Sequence, residues 1–108
     1  MNNLTYGEAL EAAKQGKLIS REGWNGKGMF VFKRPEDTLN IGILLGLRSL
    51  PKNVKDYYEA KHQPIANETD VKITFTAYLC MKAADDTIVN GWLASQTDML
   101  SNDWCILD

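Results

Sequence analysis

The sequence predicts an α+β fold: one domain, residues 1–108, with an antiparallel sheet of about five strands and short helices packed on it. Three observations lead there. Val71–Met81 alternates strictly, with Val71, Ile73, Phe75, Ala77, Leu79 and Met81 apolar and Lys72, Thr74, Thr76, Tyr78 and Cys80 between them. That period of two puts one apolar face on a strand. Thr5-Tyr6-Gly7-Glu8 has the spacing of a capping box and opens a helix. Short apolar runs on both sides of Gly23–Gly28 read as a β-hairpin with a long, glycine-rich tip.

Taken in order, the first helix covers about residues 6–15, with Ala9, Leu10 and Ala13 on one face. Lys14 and Lys17 favour its C-terminal dipole, and Gly16 offers a stop. Leu18–Arg21 is a short strand, and Met29–Lys33 is its partner, bounded by Pro35. Leu39–Leu50 is apolar with glycine breaks at Gly42 and Gly46. Pro51 suits the first turn of a helix, where its missing N–H costs nothing, and Val54, Tyr57 and Tyr58 give that helix an apolar side. His62–Asp70 is polar and reads as loop. Residues 35–70 are thus a helical excursion between two halves of a sheet. After the long strand at Val71–Met81, Asp85-Asp86 turns the chain and Thr87–Val89 returns, interrupted at Asn90-Gly91. Ser95 with Asp98 caps a one- or two-turn helix near 96–102, and Trp104–Leu107 is a last strand.

Composition narrows the functions available. At 108 residues, with 44% hydrophobic and 24% charged residues, the chain has an ordinary globular balance. A net charge of -2 and the lack of a basic run argue against a nucleic-acid polymer as partner, though a small anion needs only a few cations. No apolar stretch approaches the ~18–20 residues that span a bilayer, and Met1–Leu4 lacks the basic start of a secretory signal. Cys80 and Cys105, both in apolar segments, read as free thiols of a reducing compartment. No CxxC or paired histidine suggests zinc, so neither a metal nor a cofactor is expected. Neither GxGxxG nor GxxxxGK[ST] occurs. His62, the one histidine, lies in a polar stretch with no nucleophile motif. Asp85-Asp86 is turn composition, Asp98 is a cap, and with Asp103 these carboxylates suggest no catalytic pair.

Two tryptophan turns remain. Gly23-Trp24-Asn25-Gly26-Lys27-Gly28 lies near the start and Asn90-Gly91-Trp92-Leu93-Ala94-Ser95-Gln96-Thr97-Asp98 near the end. A tryptophan among glycines gives up local backbone stability, so each indole either packs into the core or stacks on a flat ligand, and the residues alone leave both readings open. A base stacked on an indole gains ~1–3 kcal/mol. Trp104, in an alternating strand, reads as core. Lys27 suits a phosphate. Asp98 and Asn90 suit ribose hydroxyls or an adenine amino group, and Asp98 in the first turn of its helix disfavours a phosphate there.

These motifs resemble one family. The residues that carry the resemblance are Thr5-Tyr6-Gly7-Glu8-Ala9-Leu10 with Gly16-Lys17, Arg21–Met29, and Gly91–Leu100 followed by Asp103-Trp104. The family is that of the phage anti-defence proteins of the second Thoeris type, and the resemblance spans nearly the whole chain. It implies a non-enzymatic sponge, with no catalytic residue, acting in the cytoplasm of the infected bacterium. Such a protein sequesters a cyclic ADP-ribose-type signal, notably glyco-cyclic ADP-ribose, as a homotetramer with pockets at subunit interfaces. Some members also bind cyclic oligonucleotides at a separate site. Mapped onto this sequence, Trp24 and Trp92 are expected as stacking platforms. Asn25, Gly26 and Lys27 would contact phosphate or ribose, and Asn90, Ser95 and Asp98 would bond ribose or base. Arg21, Lys27 and Arg34 are the scattered cations at hand. Nanomolar sequestration corresponds to about -12 kcal/mol, more than stacking supplies. The competing classes are a nucleotide-degrading enzyme acting on the same signal and a protein–protein interaction module.

Overall fold

The computed structural model describes residues 2–62 and 71–107. The chain divides into two compact units, Met1–Pro35 with Ala77–Asp108, and Glu36–Thr76.

The first unit holds a five-stranded antiparallel sheet with short helices, the predicted α+β class. Helix α1 (Tyr6–Lys14) begins where expected. Thr5 Oγ1 accepts the Glu8 N–H at 3.1 Å, and Glu8 Oε1 accepts the Thr5 N–H at 2.9 Å. The Gly16 and Lys17 amides close its other end on the Ala13 and Ala12 carbonyls. Its buried stripe is Ala9, Ala12 and Ala13, small residues that let the helix lie close to its neighbours. Strands β1 (Leu18–Arg21) and β2 (Phe30–Arg34) form the hairpin, in register at Ile19 and Val31. One 3-10 turn, Glu22–Trp24, starts its tip.

The second unit, Glu36–Thr76, corrects the reading of residues 35–70 as a purely helical excursion. It holds strand β3 (Asp37–Asn40), helices α2 (Ile41–Leu45) and α3 (Lys52–Lys61), and strand β4 (Lys72–Phe75). β3 pairs with β4 from Asp37 opposite Phe75 to Asn40 opposite Lys72. Asn40 ends β3 and caps α2, its Oδ1 accepting the Ile43 N–H at 2.9 Å, so one residue turns strand into helix. Helix α3 starts after Pro51, as its sequence predicts. Its C-terminal neighbour His62 is described; the rest of the expected loop, 63–70, lies outside the described residues.

The eleven-residue strand expected at Val71–Met81 is two strands. β4 belongs to the small sheet, and β5 (Tyr78–Lys82) joins the large one. The single apolar face expected through the break is not kept: Ala77 is exposed and Cys80, placed on the mixed face, is fully buried. Hydrophobic period does not record which partner a backbone chooses. Strand β6 (Ile88–Asn90) returns after the Asp85-Asp86 turn, where Asp85 Oδ1 accepts the Thr87 N–H at 3.1 Å. Helix α4 (Gln96–Leu100) has its capping box of Ser95 and Asp98, and β7 (Trp104–Leu107) covers the predicted residues. The large sheet runs β6-β5-β2-β1-β7. Its core gathers Leu4, the three alanines of α1, Ile19, Val31 and Trp104, with Leu79, Met81 and Ile106 against them.

Candidate functional site

The site is built from the β1–β2 tip outward. After the 3-10 turn, Asn25 takes a left-handed conformation (φ 59°), followed by Gly26 (φ 64°) and Gly28 (φ 72°). Three left-handed residues in four fold the tip tightly, and at the last two glycine carries no Cβ penalty. The Gly28 carbonyl is fixed by Lys82 Nζ at 3.0 Å. Beneath this tip lies an open groove of about 360 Å³. Trp24, Gly26, Lys27 and Gly28 of the tip line it together with Arg21, Glu22 and Met29, and Ser20, Cys105 and Leu107 complete the lining. Its size falls within the ~300–1,000 Å³ of small-molecule sites.

The three tryptophans meet in this unit. Trp104 is fully buried, as expected, its indole N–H donating to the Asp98 carbonyl at 2.8 Å. Trp24 and Trp92 are half-buried and stand edge-on to it, at 5.3 Å and 6.4 Å between ring centres. They also stand edge-on to each other at 6.2 Å. Edge-to-face pairs of this kind contribute ~0.5–1.5 kcal/mol each beyond their buried area. Tyr6 from α1 packs on Trp104 at 5.3 Å. The choice between core and ligand for Trp24 therefore has a mixed answer in the geometry: one part of its indole belongs to the cluster, and the residue also lines the groove.

Behind Trp24 lies an ionic network. Arg21 Nη1 donates to Asp98 Oδ1 at 2.6 Å, and Nε donates to Asp103 Oδ1 at 2.8 Å. Asp103 Oδ2 accepts the Gly23 N–H at 2.8 Å, and Asp98 Oδ1 also accepts the Trp24 indole N–H at 3.3 Å. Asp98 Oδ2 accepts the Ser95 N–H at 3.3 Å, the return half of the capping box. Gly23 is required by close approach here: a Cβ at this position would lie 2.7 Å from Arg21 Nη2 and 2.9 Å from Asp103 Oδ2. Burial works against ionisation of Asp98, but its bonds from Arg21, Ser95 and Trp24 outweigh it and hold the carboxyl below the usual range. Asp103 is likewise held low, chiefly by Arg21. Burial and then the Glu22 charge push the Cys105 thiol up.

The predicted site residues fall into three groups. Trp24, Gly26 and Lys27 line the groove, and Asn25 is exposed beside them. Trp92, Ser95 and Asp98 gather on the other side of Trp24, where Ser95 and Asp98 cap α4 and Asp98 binds Arg21. Asn90 is brought to neither. It lies on the edge strand β6, opposite Cys80, whose thiol donates to its Oδ1 at 3.6 Å. Among the scattered cations, Arg21 is occupied by two carboxylates and Arg34 lies over Tyr78. Lys27 has no ion-pair partner among the described residues and faces the groove. Glu22, Ser20, Met29 and Cys105 were not legible as groove residues. Glu22 and Met29 stood inside the Arg21–Met29 motif; Ser20 and Cys105 carry no local signal, because strand pairing brings them there. Cys80 and Cys105 are both free. Among the described residues, no three His, Cys, Asp or Glu side chains are grouped to hold a metal, and no helix is long and apolar enough to cross a membrane.

Fold and site thus define a small α+β domain in which a glycine-rich turn and an indole cluster flank an open groove. A Thoeris anti-defense 2-like domain matches residues 4–107, through both compact units. The chain is also 35% identical over 104 residues to Thoeris anti-defense 2 of Bacillus phage SP01, covering 96% of this chain and 94% of that protein. The chain belongs to the Thoeris anti-defense 2-like family, and so to the proteins that counter Thoeris defence.

Proposed function

We propose that this protein binds and sequesters glyco-cyclic ADP-ribose, a cyclic ADP-ribose-type signal, in the cytoplasm of the infected bacterium, without cleaving it. The observation that carries the reading is the groove under the Trp24 turn: an indole, a glycine-lined backbone and an unpaired lysine around about 360 Å³. Such a surface suits a ligand with a flat base and a pyrophosphate. Lys27 and the backbone of Asn25 and Gly26 serve the phosphates, and Trp24 serves the base. A sponge needs affinity rather than turnover, and the Asp85 carboxylate is taken up by the N–H and hydroxyl of Thr87 in its own turn. Family membership supports the target pathway.

The groove is open on one side and lacks Asn90, Trp92 and Ser95. A homotetramer with pockets at subunit interfaces would supply such residues from a neighbouring copy and close the groove over the ligand. Calorimetry with glyco-cyclic ADP-ribose is the test, followed by denaturation and chromatography of the released ligand. Saturable binding with intact ligand recovered is expected. Loss of the ligand would turn the reading to a nucleotide-degrading enzyme. An absence of heat at micromolar protein would turn it to a protein–protein interaction module.

A further inference from the structure

The Arg21 network ties the ligand-bearing turn to the C-terminal segment at successive residues. Gly23 is held by Asp103, and the Trp24 indole by Asp98. Arg21 links the two carboxylates, and all three side chains are shielded, at 12%, 13% and 29% exposed for Arg21, Asp98 and Asp103. Charge-assisted bonds of this kind are short and directional, and a guanidinium fork fixes angle as well as distance. The carboxylates are also already used. Asp98 Oδ1 accepts from Arg21 and Trp24, and its Oδ2 accepts from Ser95. A ligand hydroxyl would have to compete with one of these donors.

We infer that Asp98 and Asp103 are positioning residues: through Arg21, Gly23 and Trp24 they fix the indole against the groove, and neither touches the ligand. The inference rests on the ligand reading above for affinity, and on the free protein alone for the indole. Tyr6 on α1 faces Asp98 as well, its phenol pushed up by burial and by that charge, and a phenol has no cationic form with which to replace Arg21. Glu22 adds a further negative charge beside Asp103, with its N–H on the Asp103 carbonyl at 3.1 Å. Arg21 is therefore the cation that holds this end of the turn.

The test has two arms. In the first, the Trp24 indole N–H resonance is followed by NMR in the ligand-free wild-type protein during acid titration. It should shift as Asp98 protonates, below the ordinary carboxylate range, and the shift should vanish in Asp98→Asn. An indole resonance indifferent to acid would overturn the inference, whatever the ligand. In the second arm, glyco-cyclic ADP-ribose affinity is measured for Arg21→Lys, Asp98→Asn and the double variant, at a temperature where each is fully folded. Each single change should weaken binding by about tenfold, and the double by little more than either. A direct Asp98–ligand contact predicts instead that Arg21→Lys binds as wild type, or that the two effects multiply, and either result sinks the inference. Should wild type bind no ligand, the proposed function fails, while the first arm still decides the positioning. Should a variant fail to fold, the wild-type titration decides alone.

Discussion

Gly23 is the residue on which the network is most sensitive to a single atom. A methyl there meets Arg21 Nη2 and Asp103 Oδ2 inside contact distance. Gly23→Ala must shift the guanidinium or the turn, and a loss of about 1–3 kcal/mol in urea unfolding is expected, with weaker ligand binding. The same carboxylates set the acid response. Because the folded state holds Asp98 and Asp103 below their ordinary values, they add stability above the unfolded carboxylate range. That contribution is lost as pH falls through the folded values. The urea midpoint should therefore drop in acid, and the Asp98→Asn, Asp103→Asn double variant should show a flatter acid limb. At this scale the sequence disclosed the cap at Ser95 and Asp98, because its partners are three residues apart. It could not disclose that Asp98 also neutralises Arg21, far away in the chain and joined only by folding.

Elements were legible where the signal is local. The Thr5 capping box predicts the start of α1, and both of its hydrogen bonds are present. Thr5→Ala should cost about 1 kcal/mol, read as a lower midpoint in chemical denaturation. The hairpin was legible from its glycines, and β7 from its short apolar run. The split of Val71–Met81 was not, since the sequence alternates without interruption while its two halves pair in different sheets. Strand β3 was hidden for a related reason. Its residues, Asp-Thr-Leu-Asn, are too polar and too few to announce a strand, and only the register with β4 defines it. The groove inherits this limit: Ser20, Cys105 and Leu107 reach it only because β1 pairs with β7, and these three lie outside any motif in the chain.

Across the whole molecule, the second unit is an insertion between two hydrogen-bonded neighbours. Arg34, the last residue of β2, lies opposite Tyr78, the first of β5. All three tryptophans and the groove belong to the first unit. A chain in which residues 36–76 are replaced by a two-residue Asn-Gly turn should keep the large sheet and its tryptophan near-ultraviolet dichroism. A flat aromatic spectrum would show instead that the first unit cannot stand without the insert.

The register of the insert also governs the order of assembly. Joining β2 to β5 directly requires closing a loop of some forty residues, an entropic cost that grows with loop length. The insert can remove most of that distance first, because Asp37 pairs with Phe75 at its own mouth. Zipping β3 to β4 brings Arg34 and Tyr78 within a few residues of meeting, and turns a long-range pairing into a nearly local one. A proline at Thr74, which breaks this zipper, should then slow the appearance of native tryptophan fluorescence on refolding. An unchanged rate would mean that the large sheet closes its loop unaided.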